Sequence, residues 1–537
     1  MTVLEVDAVV VGGGHHGLVA AAVLADAGWD VCLLEAQGEV GGAVRHSCTY
    51  PGFVTDRFSA FYPLAAASPV LRALELDQHG LEWAHAPAVL GHPLSTQGST
   101  AAVLHRDPDA TAAGLDAQHP GDGEAWLRLY RQWLVLEEPL LRSLFTTFPP
   151  VRGPVQLLRR IGTAEALRLV RFALLPAARM GEELFGGEAA RLLLAGNAAH
   201  ADVPTTAPGS GVFAWLLAML GQRHGFPTPV GGTGQLAAAL ARRAEAAGAL
   251  IRTREPVEQI LISAGQAVGV QTAAGTRVRA RRAVVADVSA PDLYTRLLPV
   301  DAVPPRVRDD LTRFVWDTPV VKLNWALGEP IPWRAPALAE AGTVHVGADT
   351  RGLVHWSADL ETGVLPQSPF LLLGQMTTTD PTRSPAGTES AWAYTHLPRG
   401  VTDLNEADEL ARRAEAVVEA HAPGFGDRVL HREVQRPGDL QGADANLGNG
   451  AVNGGTAQLF QQLVLRPIPG LGRPETPIRN LYLGSAAAHP GGGVHGVCGF
   501  LAAKAALGQH GPTGRLRRSL TSAALALVQA DQRPSIA

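Results

Sequence analysis

Six residues near the N-terminus, Gly12-Gly13-Gly14-His15-His16-Gly17, have the spacing G-x-G-x-x-G, which brings main chain close to a phosphate-bearing ligand. Gly12 permits a tight turn, Gly14 lets the backbone approach a pyrophosphate, and Gly17 lets a following helix pack closely on a sheet. His15 and His16 sit inside this turn, at the helix start, whose N–H groups and partial positive charge suit phosphate. Glu35, 18 residues beyond Gly17 with Ala36 beside it, is placed to accept hydrogen bonds from ribose hydroxyls.

A second glycine block, Gly41-Gly42-Ala43-Val44-Arg45, follows the acid, and then Asp56. A plain NAD site does not need such a block; a glycine doublet followed by Arg beyond the acid resembles the second phosphate-side loop of FAD proteins. A third block lies near the other end of the chain. Gly484 and Ser485 close an apolar run and lead into His489-Pro490-Gly491-Gly492-Gly493-Val494-His495-Gly496. Three successive glycines before a helix mark a place where backbone must come very near a ligand. His489 and His495 are then the titratable side chains expected nearest the reactive ring, and so the candidate catalytic residues. Imidazole changes charge near neutral pH, which suits either to bind substrate or to tune a cofactor; equally, both can simply hydrogen-bond to backbone and shape the loop.

Elements must place these groups together. Residues 6–11 are apolar and mostly β-branched, as a buried parallel strand requires. Leu18, Ala21, Ala22 and Ala25 recur at helical spacing until Gly28, and residues 31–34 form a second strand ending in Glu35. Residues 229–234 lead into a helix over 235–247 with Leu236, Leu240 and Ala244 on one face. Strand-like runs follow at 250–252, 268–272 and 278–285, and another at 481–483 precedes a helix over 499–507. Within 86–224, Thr163 is placed to cap a helix reaching about Leu175, ended by Pro176. Ala166, Leu169, Val170 and Ala173 share one face of it, with Arg168 and Arg171 on another. Such a basic amphipathic helix can lie on a membrane surface; a helix capping a substrate domain has the same pattern. Runs 320–327 and 370–377 are expected to floor a substrate cavity, with Phe314, Trp316 and Trp325 as core or cavity wall; His200, ahead of Pro204 and Pro208, either faces the cofactor ring or is a satisfied structural residue.

Composition excludes other classes. A chain of 537 residues with 46% hydrophobic and 18% charged residues is globular, and its net charge of −5 gives nucleic acid no footing. Only Lys322 and Lys504 are lysines; Arg supplies the rest of the positive charge. Cys32, Cys48 and Cys498 form no C-x-x-C pair, and no metal-ligand spacing is present, so neither a redox disulfide nor a metal site is expected. Acidic residues at 5 and 7 do not fit a signal peptide, and no apolar run reaches the roughly 18–20 residues of a bilayer span. A cytoplasmic protein is the expectation, with peripheral membrane contact as one of the two readings of the basic helix.

The blocks at 9–17, 41–45, 229–234 and 489–493 together resemble the phytoene desaturase-like branch of FAD oxidoreductases, which includes carotenoid desaturases and isomerases and the pyridine nucleotide-disulfide oxidoreductase domain-containing protein 2 group. The resemblance implies an α/β fold with a Rossmann-type, glutathione reductase-like FAD-binding domain built from discontinuous segments, 1–85, 225–300 and 475–510. A mixed α+β substrate domain would take 86–224 and 301–474, with a C-terminal tail at 511–537. It implies bound FAD, with Val257 holding the adenine through its backbone. The implied reaction is hydride removal from a hydrophobic small molecule to form a C=C bond, with oxygen, a quinone or another acceptor taking the electrons. A redox-neutral flavin-dependent isomerase and a non-catalytic flavin-binding scaffold share the same signature. His16 stands where relatives often have Asn, and Ser485 where many flavoproteins carry an Asp for the ribityl chain.

Overall fold

Backbone placement follows from two buried sheets in this computed structural model, which describes residues 4–147, 150 and 152–529. Strand Leu4–Val11 runs parallel to Val31–Leu34 on one side and to Arg277–Ala286 on the other. Its side chains alternate between two cores. Ala8 and Val10 face one with the helices, and Val9 and Val11 face the other. Leu250–Arg252 extends one edge and Leu481–Leu483 pairs with the end of Arg277–Ala286. Five parallel strands from three distant stretches therefore end at one sheet edge. Val257–Ser263 and Gln266–Thr272 add an antiparallel meander, completing a seven-stranded sheet among the described residues. This α/β arrangement is the expected Rossmann-type sheet.

Helices His15–Asp26, Gly234–Ala246 and Val497–His510 contribute apolar faces to the same core as Ala8 and Val10. Packing of the first and third is close enough that a Cβ on Gly499 would sit 1.8 Å from the His16 carbonyl oxygen. Only glycine fits there.

A second seven-stranded sheet has the order Val429–Gln435, Val320–Leu327, Glu389–His396, Leu371–Gln375, Ala341–Val346, Ala88–Pro93, Ala101–Leu104. The run expected over 370–377 is strand for Leu371–Gln375 and then turns into a short helix, Met376–Thr379. Trp325 is core, edge-on to Phe425 at 5.1 Å and donating its Nε1–H to Glu415. Helices from Asp122–Leu144 to Ser210–His224 cover the other flank. The expected helix at Thr163 starts earlier, as Arg152–Leu174, with a kink at Gly162 (φ 78°) just before Thr163. Ala166, Leu169 and Ala173 are half-buried, but Val170 is 57% exposed and Phe172 packs inward instead, edge-on to Trp215. At the C-terminus, helix Gly514–Gln529 packs on Val497–His510; the rest of the expected tail, 530–537, lies outside the described residues.

A buried ion network ties strand Phe53–Asp56 and the glycine block at 229–234 to the short 3-10 turn Pro381–Arg383. Arg383, fully buried, donates to Asp56 Oδ2 (2.9 Å), Asp380 Oδ2 (3.0 Å) and Thr228 Oγ1. Asp56 Oδ1 in turn accepts from Thr233 N, and Asp380 Oδ2 from Gly231 N. The glycine block at 229–234 is thus fixed by carboxylates whose counter-charge is Arg383, in the connection between strands Leu371–Gln375 and Glu389–His396.

Candidate functional site

A cavity of about 480 Å³ lies between the two sheets, at the carboxyl edge of the parallel strands, where ligands sit in open α/β folds. The first glycine turn forms one end. Gly12 has φ 96°, and a Cβ on Gly17 would lie 2.1 Å from the Gly12 carbonyl oxygen. Gly14 is the N-cap of helix His15–Asp26 and offers no side chain to cap it. Glu35 is held at its strand end by two N–H donors, Gly13 and Gln37, both at 2.7 Å. The second block docks on the first: Gly41 N donates to Gly13 O at 2.8 Å, and Gly42 (φ 56°) covers Gly14. Arg45, buried, donates to Gly42 O and Ala443 O and lies 5.3 Å from the Phe58 ring.

The third block closes the cradle. His15 Nε2 meets Gly493 O at 3.3 Å, and a Cβ on Gly492 would come 2.8 Å from the Asn453 carbonyl. Ser485 donates its hydroxyl to Val288 O at 2.6 Å, across the sheet. Of the residues singled out from sequence, Gly12, Gly14, His15, His16, Glu35, Ala36, Gly42, Ala43, Arg45, Val257, Ser485, Gly492, Gly493, Val494 and His495 all line this one cavity. Gly17, Gly41 and Gly484 stand just behind it, as packing positions. The glycine cradle, the open helix start and the acid beyond it fit a dinucleotide.

The two histidines differ. His495 Nδ1 accepts from Val497 N at 3.0 Å, which leaves the proton on Nε2, 3.3 Å from Gly491 O. Burial lowers its pKa to about 3, so it stays neutral near pH 7. His489 is buried outside the cavity lining, facing backbone at Thr146 and Leu144. His16, with neither ring nitrogen hydrogen-bonded, brings its ring 5.1 Å from that of His495, and both come near Cys498.

Several cavity residues carried no sequence signal. Lys322 projects from the centre of strand Val320–Leu327, over Trp392 at 5.6 Å, donating to Asp56 O (2.6 Å) and Asn324 Oδ1. Burial lowers its pKa to about 7, so it exchanges protons near neutrality. Being one of two lysines among 45 Lys and Arg, inside an apolar strand, was the available clue. Asp202 (φ 56°) lines the cavity with Oδ1 2.6 Å from His396 Nε2 and Oδ2 accepting from Asn453. Burial alone would lower the His396 pKa; the Asp202 carboxylate outweighs it and the net shift is upward. His200 also lines the cavity, its pKa lowered to about 4 by burial. Asp287 faces the first turn, accepting from Gly17 N at 2.8 Å, and burial raises its pKa to about 8. Much of the remaining wall is apolar, including Phe61, Leu144, Phe145, Phe213, Leu217 and Trp392.

Comparison with known proteins agrees with this geometry. The model of the family described as flavin containing amine oxidoreductase matches residues 17–505. The chain is 28% identical to the pyridine nucleotide-disulfide oxidoreductase domain-containing protein 2 of Rattus norvegicus over 93% of both chains. It is 28% identical to a neurosporene-forming phytoene desaturase of Cereibacter sphaeroides, covering 56% of this chain and 57% of that protein. Among solved structures, a putrescine oxidase with bound putrescine superposes with a TM-score of 0.59 at 17% identity, covering 94% of this chain and 99% of that one.

Proposed function

The chain belongs to the flavin-containing amine oxidoreductase family and is an FAD-dependent oxidoreductase; on that premise we propose that it removes a hydride from a hydrophobic substrate and leaves a C=C bond. One observation carries the reading: the glycine cradle and an apolar wall line a single cavity, so cofactor and substrate share one chamber. In this reading residues 1–85, 225–300 and 475–510 hold FAD, and 86–224 and 301–474 hold the substrate. Glu35 receives the ribose hydroxyls, and the helix start at Gly14, His15 and His16 receives the pyrophosphate. Gly12 and Gly17 shape that turn, and Gly41, Gly42, Ala43 and Arg45 support it. Val257 holds the adenine through its backbone, with Ala36 alongside. Gly484, Ser485, Gly492, Gly493 and Val494 cradle the remainder of the cofactor.

Bound FAD would supply the hydride acceptor, with oxygen, a quinone or another acceptor as the final destination of the electrons. The protein positions the C–H bond and moves the accompanying proton. Lys322 is the residue placed for that proton, being buried in the cavity wall and half-neutral near pH 7. His495, neutral and committed to Val497 N, shapes the loop and the cavity wall rather than shuttling protons. Peripheral membrane contact would bring an apolar substrate to the chamber. A cytoplasmic setting fits the three cysteines, all free. Apolar compounds extracted from the purified protein and identified by mass spectrometry supply the test: mixed anaerobically with it, the substrate bleaches the flavin. Bleaching by NADH or NADPH alone, at micromolar levels, contradicts the reading.

A pH effect on cofactor retention follows from Asp287. Its carboxyl faces the turn that takes the pyrophosphate, with the acids Glu35 and Asp444 nearby. Below about pH 8 it is neutral and tolerates a diphosphate; above, a second anion repels it. FAD affinity should therefore fall as pH rises through about 8, measured by flavin fluorescence in dialysed protein, and Asp287→Asn should flatten the profile. An Asp287→Asn profile identical to that of the parent removes Asp287 from the account.

A further inference from the structure

Two polar side chains in the cavity wall lack partners. Tyr394 stands on strand Glu389–His396, opposite Lys322 in register, its ring stacked on Trp392 with centroids 6.1 Å apart. It is half-buried and lines the cavity, and its hydroxyl makes no hydrogen bond among the described residues. His200, the last residue of helix Glu188–His200, is also half-buried and lines the cavity. Its Nδ1 is shut into the protein without a partner, so Nε2 is the nitrogen left to face the cavity. Polar groups inside a protein are hydrogen-bonded as a rule, and exceptions in a cavity wall mark where a ligand completes the bond.

The charges around them say which ligand group fits. The Asp202 carboxylate is close to both residues, but its oxygens are taken. Oδ1 stands 2.6 Å from His396 Nε2, and Oδ2 accepts from Asn453. Asp317, also close to Tyr394, accepts from Val452 N and Asn453 N at 2.7 and 2.9 Å, and burial raises its pKa. Neither acid is left to pair with an ammonium. Arg466 spends its guanidinium on the carbonyls of Asn453, Gly455, Thr456 and Ala486, and Lys322 donates to Asp56 O and Asn324 Oδ1. Neither cation is left for a carboxylate. What remains is a phenol and, since burial lowers the His200 pKa to about 4, a neutral imidazole. A ligand hydroxyl both donates and accepts, so it satisfies the phenol and either tautomer of the imidazole.

We propose that the substrate is an apolar molecule carrying an uncharged hydroxyl, which Tyr394 and His200 hold by hydrogen bonds. The inference deepens the proposed function and rests on it, because the hydroxyl is recognised in the same chamber that takes the carbon skeleton.

Octane, octanol, octanoate and octylammonium, titrated into full-length, FAD-loaded protein and followed by the shift in flavin absorbance, test it without turnover. In a wholly apolar chamber octane would bind tighter than octanol by about 10-fold or more, because a hydroxyl would be stripped of water and left unpaired. The parent should instead bind octanol at least as tightly as octane, and about 10-fold tighter than either charged analogue. Tyr394→Phe keeps the ring and its stacking on Trp392. It should weaken octanol by about 5-fold to 10-fold and leave octane unchanged. Adding His200→Leu should put octane ahead. A parent that prefers octane, or either charged analogue, overturns the proposal, as does a Tyr394→Phe protein that binds octanol like the parent. If none of the four shifts the flavin spectrum, the shared chamber falls and the proposed function falls with it. A preference for octanol in protein that returns its extracted compound unchanged in mass sinks the proposed function alone. A preference for octane in protein that does dehydrogenate that compound sinks the hydroxyl alone.

Discussion

Replacing Gly17 with alanine should yield protein that cannot retain FAD. The added Cβ would lie 2.1 Å from the Gly12 carbonyl oxygen and 3.1 Å from Asp287 Oδ2. The first contact is with backbone inside a tight turn, so no side-chain rotation relieves it. The turn must open, and with it go the Gly17 N–H bond to Asp287 and the docking of Gly41 N on Gly13 O. An affinity loss of 100-fold or more is expected, on the order of 3 kcal/mol, read as colourless protein after gel filtration and failed reconstitution. Gly114→Ala is the control. Its Cβ meets nothing within 4 Å, inside helix Pro108–Gln118, so the change should be neutral or stabilise by up to about 1 kcal/mol. A yellow Gly17→Ala protein would show that the turn does not carry the cofactor.

The second large effect is expected at Arg383, which no glycine pattern marks. Arg383→Met leaves Asp56 and Asp380 buried at 0% and 1% exposure without the guanidinium that bridges them. Breaking a buried pair from one side costs about 3–5 kcal/mol, because the remaining charge cannot reach water. Those same carboxylates hold Thr233 N and Gly231 N, so the variant should also lose FAD more readily. Urea denaturation monitored by tryptophan fluorescence measures the first effect and flavin release the second. Adding Asp56→Asn to Arg383→Met should recover part of the loss, since a neutral amide is cheaper to bury. A single variant that unfolds within about 1 kcal/mol of the parent would reduce the network to an ornament of packing.

These two sites also mark what sequence can and cannot disclose. The turn at Gly12–Gly17 is local: glycine spacing, an apolar strand before it and helical periodicity after it all lie within 30 residues. The same holds for the block at Gly41–Arg45 and the loop at His489–Gly496, so each glycine block and the elements flanking it were readable one by one. Asp56 and Arg383 lie 327 positions apart, and only the packing of strand Phe53–Asp56 against the turn Pro381–Arg383 brings them together. Lys322 and the Asp202–His396 pair are hidden for the same reason. Each is an isolated polar residue whose environment comes from remote strands and helices. At Val170 the periodic reading drew the inward face too wide: Val170 stands about 100° around the helix axis from Leu169, and Phe172 takes the inward place against Trp215. His489 and His495 look equivalent in the loop, yet only His495 reaches the cavity.

The central claim is that one chamber brings FAD and an apolar C–H donor together, and the mass of the product tests it most directly. The apolar compound extracted from the protein, incubated with FAD-loaded enzyme and oxygen or a quinone, should return two hydrogens lighter with one additional C=C bond. Lys322→Met should slow the flavin bleaching by roughly 100-fold while leaving FAD bound, as expected for loss of a proton-transfer group. Recovery of the compound unchanged in mass, from enzyme that holds FAD and is reoxidised normally by the acceptor after chemical reduction, would contradict the claim.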